Sequence, residues 1–528
     1  MPSSGPHPAL TATLYPSVVD MLHAAADAAP DRIALVQRGS GDAARQFTYR
    51  EYRNAVVGLA AFLEPAVVAQ GRVATVLPNS IAACIATFAV FAAGAQLVPL
   101  NPLYTPRELS LVLDDADVSV LIADAATLAQ LRDTPALARI PRIVSLDEIE
   151  VRLSDWAVAT PAALPRPVPD QLGLLQYTGG TTGRAKGVNL THRAMATNIA
   201  QRETLLPSRM DEERLLCVMP IFHSYGMTMG LFLTAYARGT LVLMAKFQRD
   251  AVFDLITEER ITTFPASPTI LTGLIAHERF ATADLSSLSR CYSGSAPLAK
   301  ATIDDWMART GAPIFEGYGQ TEAGPILTYN TIGRTRLGSV GVVLPLTEIE
   351  IVDTQDGRTV LPVGERGEIR ARGPQIMTGY RNLPEETRQT LRDGWLHTGD
   401  IGEFDADGYL FIRDRLKDLV LVGGYNVYPR EIDDVLLAHP AVVDAASVGV
   451  PDAFRGEVVR AFVVLRDNAR ADAGEILAHC RANLAAYKVP VSVTFVAALP
   501  KTGVNKTDRK ALREIARTCA PAPPERPA

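Results

Sequence analysis

From Val73 to Pro106 the chain carries no charged residue over 34 consecutive positions. How that run can be buried constrains the fold more than any other stretch. Residues 81–100, IAACIATFAVFAAGAQLVPL, are almost wholly apolar and about as long as a membrane span. The internal punctuation argues against spanning: Pro78 and Asn79 start a helix, Gly94 ends it, and Pro99 breaks anything that continues. Alanine dominates, which is less lipophilic than a Leu/Ile/Val span. A strand at 73–77, a buried helix at 80–93 and a buried strand at 96–100 account for the whole run. That is half of a parallel βα unit, whose strands read as continuous apolar segments. No transmembrane segment is expected.

The 528 residues exceed one compact core and predict three or four folding units. Strand-like runs at 118–124, 173–179, 239–246 and 290–295 alternate with amphipathic stretches at 191–203, 250–261 and 267–280, which predicts α/β structure with parallel sheets. Past about 335, short strands with Gly and Asp-Gly turns predict antiparallel structure, and from about 418 a compact α/β pattern returns. A net charge of −6 provides no basic excess, so no nucleic-acid partner is expected. Five scattered cysteines without a close pair read as reduced, buried thiols of a cytoplasmic protein. No Lys or Arg precedes Arg32, which argues against a secretory or transit leader, and the Pro/Ala-rich residues 516–528 read as a disordered tail.

The strongest chemical signal is YTGGTTGRAKGV, Tyr177 to Val188. Its glycines permit close backbone approach, its threonines offer hydroxyls, and Lys186 adds a cation, the composition of a phosphate cradle. It is not a Walker A loop, because Ala185 precedes Lys186 and Gly187 follows. The segment resembles the phosphate loop of the adenylate-forming enzymes. Further segments match that superfamily in order: PIFHSYGM (220–227), YSGSAPL (292–298), EGYGQTEAGP (316–325), GERGEIRARGPQIMTGYRN (364–382), WLHTGD (395–400), RDRLKDLVLVGGYNVYPREID (413–433) and LPKTGVNK (499–506). Together with NPLYTPREL (101–109), the resemblance covers about residues 15–515 and points most closely to bacterial medium- and long-chain fatty acyl-CoA synthetases.

The resemblance implies a large N-terminal domain, 1–414, of two doubly wound sheets plus a distorted β-barrel. A hinge at 415–417 and a smaller mobile α+β lid at 418–515 follow. The implied reaction is ATP-dependent ligation of a fatty or other apolar carboxylic acid to CoA. An acyl-AMP forms first with release of pyrophosphate, and the acyl group then passes to CoA with release of AMP. Both first reactants are anions, so charge must be neutralised before attack. Lys506 matches the lysine that bridges carboxylate and α-phosphate. Thr178, Gly179, Gly180, Thr181, Thr182 and Lys186 match the phosphate loop. Glu322 matches the Mg²⁺ ligand, with Thr178 a second metal candidate. Gly294, Ser295, Ala296, Glu316, Gly317 and Tyr318 match the adenine slot, Thr321 lies near the phosphate, and Asp400 with Arg415 matches the ribose site.

His223 matches the gate beside the acyl carboxylate, where amino-acid-activating relatives place Asp. The stretches 225–229, 264–269, 291–293 and 324–329, with Tyr225, Phe264 and Cys291 as acyl contacts, offer no carboxylate or amine, which favours an apolar acid. Lys417 matches the hinge, and Gly423 and Gly424 match the walls of the pantetheine tunnel, where side chains would block a narrow passage. Taken singly, Glu322 and Asp400 are ordinary solvated carboxylates, Lys506 a surface cation and His223 a core histidine; the order of the motifs reverses those odds. Asn505 stands where relatives usually have Gly, and Asn tolerates positive φ better than most residues. The alternatives are a fatty acyl-AMP ligase loading an acyl carrier protein and an aryl-CoA ligase. The resemblance also leaves room for a homodimer and for peripheral membrane association.

Overall fold

The computed structural model describes residues 9–518 apart from 39–43, 65–70, 162, 179–184, 295–297, 423–424, 453, 467–468 and 503–506. The chain forms two compact units. The larger comprises 1–350, 370–397 and 407–410, and the smaller 351–369, 398–406 and 411–528, so the division falls inside the strands Glu348–Val352, Gly367–Arg372 and Trp395–Phe404.

Strand, helix and strand form across the charge-free run as its punctuation predicts: Arg72–Val76, Ile81–Ala92 and Gln96–Leu100. Ser80 caps the helix by accepting from the Ala83 amide. Every residue of this helix is buried, because neither face meets water. Full burial of Ile81, Ile85, Phe88 and Phe91 contributes roughly 1.5–3 kcal/mol each. The two strands pair in parallel, Val73 opposite Leu97 and Val76 opposite Leu100. They lie near the middle of a sheet that counts seven strands among the described residues, ordered Gly379–Tyr380, Lys186–Thr191, Leu172–Thr178, Gln96–Leu100, Arg72–Val76, Val120–Ala123 and Arg142–Ser145. Among the described residues, no helix is long and apolar enough to cross a membrane.

A second sheet of the larger unit counts nine strands among the described residues. It includes in sequence-distant order Ile314–Tyr318, Arg290–Ser293, Thr263–Ala266, Arg214–Cys217 and Thr240–Leu243, all paired in parallel. The helices Arg249–Glu258, Pro268–Ile275 and Lys300–Thr310 bury Val252, Phe253, Leu271 and Trp306 against it. Farther along, Asp393 and Gly394, both with positive φ, turn the antiparallel hairpin that pairs Leu391 with Leu396.

In the smaller unit, the long strands Val442–Asp452 and Gly456–Leu465 form an antiparallel ladder, and Ser492–Phe495 joins the second of them in parallel. Alternation along Gly456–Leu465 fills two cores. Val459, Ala461 and Val463 pack on Ile432, Leu436, Ile476 and Cys480, while Val458 and Phe462 pack on Leu512 and Ala516. Cys84, Cys217, Cys291 and Cys480 are free and buried, and burial pushes the Cys217 thiol up to about 12. These are packing thiols, not nucleophiles.

Candidate active site

The strands Leu172–Thr178 and Lys186–Thr191 run antiparallel, with Thr178 opposite Lys186. They hold the two ends of the Gly/Thr loop, whose Gly179, Gly180, Thr181 and Thr182 lie outside the described residues. Tyr177 anchors the first strand by donating to Asp115 Oδ2 at 2.6 Å. The short strand Gly379–Tyr380 adds to the outer edge, Tyr380 opposite Val188. That register sets the Tyr380 ring 5.1 Å from the Lys186 ammonium, and the Tyr380 hydroxyl donates to Glu322 Oε1 at 2.8 Å. Burial, and then the Glu322 carboxylate, push the Tyr380 phenol well above its ordinary range, so it stays a donor. Lys186, Tyr380 and Glu322 thus form a line from the loop base to the turn Thr321–Ala323.

The segment carrying His223 is tied to the charge-free run. Asn79 accepts from the Ile221 amide at 2.9 Å and donates to Met219 O at 3.0 Å. His223 caps the short helix Ser224–Gly226, its Nδ1 accepting from the Tyr225 amide at 3.3 Å. Ser224 Oγ lies 3.2 Å from Thr321 Oγ1, which links this segment to the turn bearing Glu322. A Cβ on Gly226 would stand 2.2 Å from Pro220 O, so only glycine lets the chain fold back this tightly. A π-helical segment, Met227–Phe232, follows.

Gly294, Glu316, Gly317 and Tyr318 come together at the ends of adjacent parallel strands, where α/β sheets place their ligands. Glu316 Oε1 accepts from the Leu298 amide at 3.3 Å. A Cβ on Gly317 would meet the Tyr329 ring at 2.6 Å, and one on Gly294 would meet the Tyr225 ring at 3.2 Å. Ser295 and Ala296 lie outside the described residues. The three acyl contacts read from the sequence separate. Phe264 and Cys291 are fully buried in the core around Trp306, whereas Tyr225 packs with Tyr292 and Tyr329 in another cluster. Strand alternation sends Cys291 and Tyr292 to opposite faces.

In the smaller unit, Arg415 Nε lies 3.5 Å from Asp400 Oδ1, and the Asp400 amide donates to Thr398 Oγ1 at 3.1 Å. Lys417, although exposed, is pushed below an ordinary lysine, first by desolvation of its inner part and then by Arg415. Gly423, Gly424, Asn505 and Lys506 lie outside the described residues. Among the described residues no group of three or more His, Cys, Asp or Glu side chains is arranged to hold a metal ion. A hard cation held by one carboxylate and by phosphate oxygens needs no such group, and the Glu322 carboxylate is a donor of that kind.

The residue roles assigned from the sequence left out Asn79, Ser224 and Tyr380. Tyr380 sits in a motif that matched, but a tyrosine in a Gly-Tyr-Arg segment has no readable target until the strand register is known. Asn79 reads only as a helix start.

The AMP-binding enzyme family matches residues 22–381, and the AMP-binding enzyme C-terminal domain matches 431–506. The chain is 36% identical over 520 residues to a long-chain-fatty-acid–CoA ligase of Bacillus subtilis, covering 92% of each chain. It is 39% identical over 467 residues to a feruloyl-CoA synthase of an Amycolatopsis species, covering 87% of this chain and 92% of that one. The crystal structure of the anthranilate CoA ligase AuaEII in complex with anthranoyl-AMP superposes with a TM-score of 0.87 at 29% identity, over 96% of this chain and 98% of that one.

Proposed function

The chain belongs to the AMP-binding enzyme family, and on that premise we propose that it joins a fatty or other apolar carboxylic acid to CoA through an acyl-AMP intermediate. The observation that carries this reading is the line Lys186–Tyr380–Glu322, set beside the His223 segment through Ser224 and Thr321. A cation, a carboxylate and the neighbouring His223 segment linked in this way support the joining of two anions. Glu322, with Thr178 as a second oxygen donor, would hold Mg²⁺, which would supply charge neutralisation on the phosphates. Lys186 and Lys506 neutralise the rest, His223 orients the acid, and the Asp400–Arg415 pair holds the ribose. Arg415 to Lys417 act as the hinge on which the lid, 418–515, turns. Gly423 and Gly424 then admit pantetheine. Buried, unbridged thiols support a cytoplasmic setting.

An aromatic acid is the second reading. The Tyr225–Tyr292–Tyr329 cluster favours it, as do the feruloyl and anthranilate relatives. Carboxylate-dependent exchange of labelled pyrophosphate into ATP tests the core of the proposal: some acid in a panel of alkanoates and aryl acids supports exchange, and if none does, the reading fails. Lys506→Ala abolishes exchange while sparing thioester formation from supplied acyl-AMP. Loss of both together refutes the role given to the lysine. AMP release with an acyl carrier protein but not with CoA would correct the acceptor.

A further inference from the structure

Just before the Gly/Thr loop, one row of residues crosses three adjacent strands of the sheet that holds the charge-free run. Tyr177 stands opposite Gly187. The Arg381 amide, just past the edge strand Gly379–Tyr380, donates to Gly187 O at 2.8 Å. The next pair, Thr178 opposite Lys186, already forms the two ends of the loop. Whatever fixes this row therefore fixes where the loop begins and ends. Gly187 lets the row close up, since a Cβ there would stand 2.8 Å from Leu175 Cδ1 and 3.1 Å from Tyr177 Cζ.

A residue outside the sheet holds the row. Asp115 lies in the final turn of the helix Pro106–Ala116. Leu109, Val112, Leu113 and Ala116 of that helix share a core with Leu175 and Tyr177. Arg72 fastens the helix end by donating to Ala116 O and to the Asp117 carboxylate. Asp115 is thus a fixed point. Its Oδ2 accepts from the Tyr177 hydroxyl at 2.6 Å, on the first strand of the row. Its main-chain carbonyl accepts from Arg381 Nε at 2.7 Å and from Asn382 Nδ2 at 3.2 Å, at the other end of the row. Carbonyls of a last helical turn carry partial negative charge, which suits a guanidinium. Asn382 takes a φ of 53°, which asparagine tolerates better than most residues.

Packing alone does not call for this arrangement. A phenylalanine at 177 would fill the same core and need no acceptor. The tyrosine instead spends a hydroxyl on a carboxylate, and burial followed by the Asp115 hydrogen bond pushes its phenol well above the ordinary range, so it stays a donor. The tie reaches the chemistry in one further step on each side. Tyr177 precedes Thr178 at the start of the loop. Arg381 follows Tyr380, whose ring lies 5.1 Å from the Lys186 ammonium and whose hydroxyl donates to Glu322. We infer that Asp115 is a positioning residue for the ATP-dependent half of the reaction: through Tyr177, Arg381 and Asn382 it sets the ends of the phosphate loop and the Lys186–Tyr380–Glu322 line. This rests on the acid–CoA ligase reading and adds a residue to its ATP side.

The test separates the two half-reactions, using an acid that supports exchange in the native protein. Asp115→Ala removes the carboxylate and keeps the main-chain carbonyl, so the row loses its tie to Tyr177. A displacement near 1 Å has a large cost, and kcat/KM for MgATP in pyrophosphate exchange falls about 10²-fold. Thioester formation from supplied acyl-AMP, which carries no β- or γ-phosphate, stays within about twofold of native. Asp115→Asn keeps an oxygen for the Tyr177 hydroxyl and restores exchange to within about fivefold of native. Tyr177→Phe removes the same bond from the other side and lowers exchange at least about tenfold. The double variant is then no slower than Asp115→Ala alone. Tyr177→Phe keeps the ring and carries the test if Asp115→Ala does not fold. Equal losses in both half-reactions overturn the inference while leaving the ligase reading standing. So does exchange within about twofold of native in every folded variant, or multiplied losses in the double variant. Absence of exchange in the native protein with every acid overturns both.

Discussion

Asn79→Ala tests whether the charge-free run and the His223 segment are one unit. Asn79 is 5% exposed, and its amide satisfies both the Ile221 N–H, at 2.9 Å, and the Met219 carbonyl, at 3.0 Å. Alanine leaves the Ile221 N–H unpaired in the interior, at about 1–3 kcal/mol, and leaves the Met219 carbonyl with only the Cys217 thiol, at 3.4 Å. The expected loss is about 1–3 kcal/mol, well above an indifferent surface substitution. Met219 and Ile221 lie within four residues of His223, so the segment also shifts, and a misplacement near 1 Å costs about 10²-fold in kcat/KM. Urea unfolding followed by tryptophan fluorescence reads the first quantity, and acid-dependent pyrophosphate release reads the second. Asn79→Asp keeps the acceptor for Ile221 but turns an oxygen toward the Met219 carbonyl. That variant is defective at pH 8 and recovers partly near pH 5, where a protonated carboxyl can donate. A change of less than about 0.5 kcal/mol in Asn79→Ala, the scale of an indifferent surface site, with unaltered kcat/KM, would refute the linkage.

Two further outcomes are expected. Tyr380→Phe removes the 2.8 Å donor to Glu322; with Glu322 as the proposed Mg²⁺ ligand, the Mg²⁺ concentration for half-maximal rate rises about tenfold, as when a group that orients a metal ligand is removed, and an unchanged Mg²⁺ titration would refute that role for Glu322. Asp433 is buried, and burial pushes its carboxyl up to about 6 against the opposing pull of Arg509 at 2.5 Å, with Asp414 adding to the rise. A raised carboxyl favours the folded state when protonated. This contribution is therefore full below about pH 4 and is lost as pH rises through about 6. Asp433→Asn removes that decline from the unfolding profile of the smaller unit, and persistence of the slope would assign it to other groups.

Much of the fold was legible because the local rules agree with one another. The strand, helix and strand of residues 72–100 form within one or two residues of their sequence punctuation, since capping, Gly94 and continuous burial all point the same way. Where motifs fix a backbone shape, the site was legible too: Gly226 and Gly317 are glycines because neighbouring atoms occupy the place of a Cβ. Which way a side chain points was less legible. Phe264 and Cys291 lie in segments read from the sequence as lining an acyl pocket, and they fill the core around Trp306, since successive strand residues alternate between faces.

By itself the sequence determined the βα order, the family-level chemistry and the stretches of chain that bear it, because those depend on contacts local in sequence or on a fixed order of motifs. Tertiary structure alone decided that Tyr380 reaches Glu322 across 58 residues of chain, that Asn79 holds Ile221 across 142, and that Arg202 meets Tyr292 and Tyr329. A lone arginine on a helix reads as a solvated cation. Only the packing of strands Arg290–Ser293 and Thr328–Tyr329 around it removes the water and leaves its donors facing inward. Registers between distant strands are set by the burial of whole faces, and no local stretch of sequence carries that information.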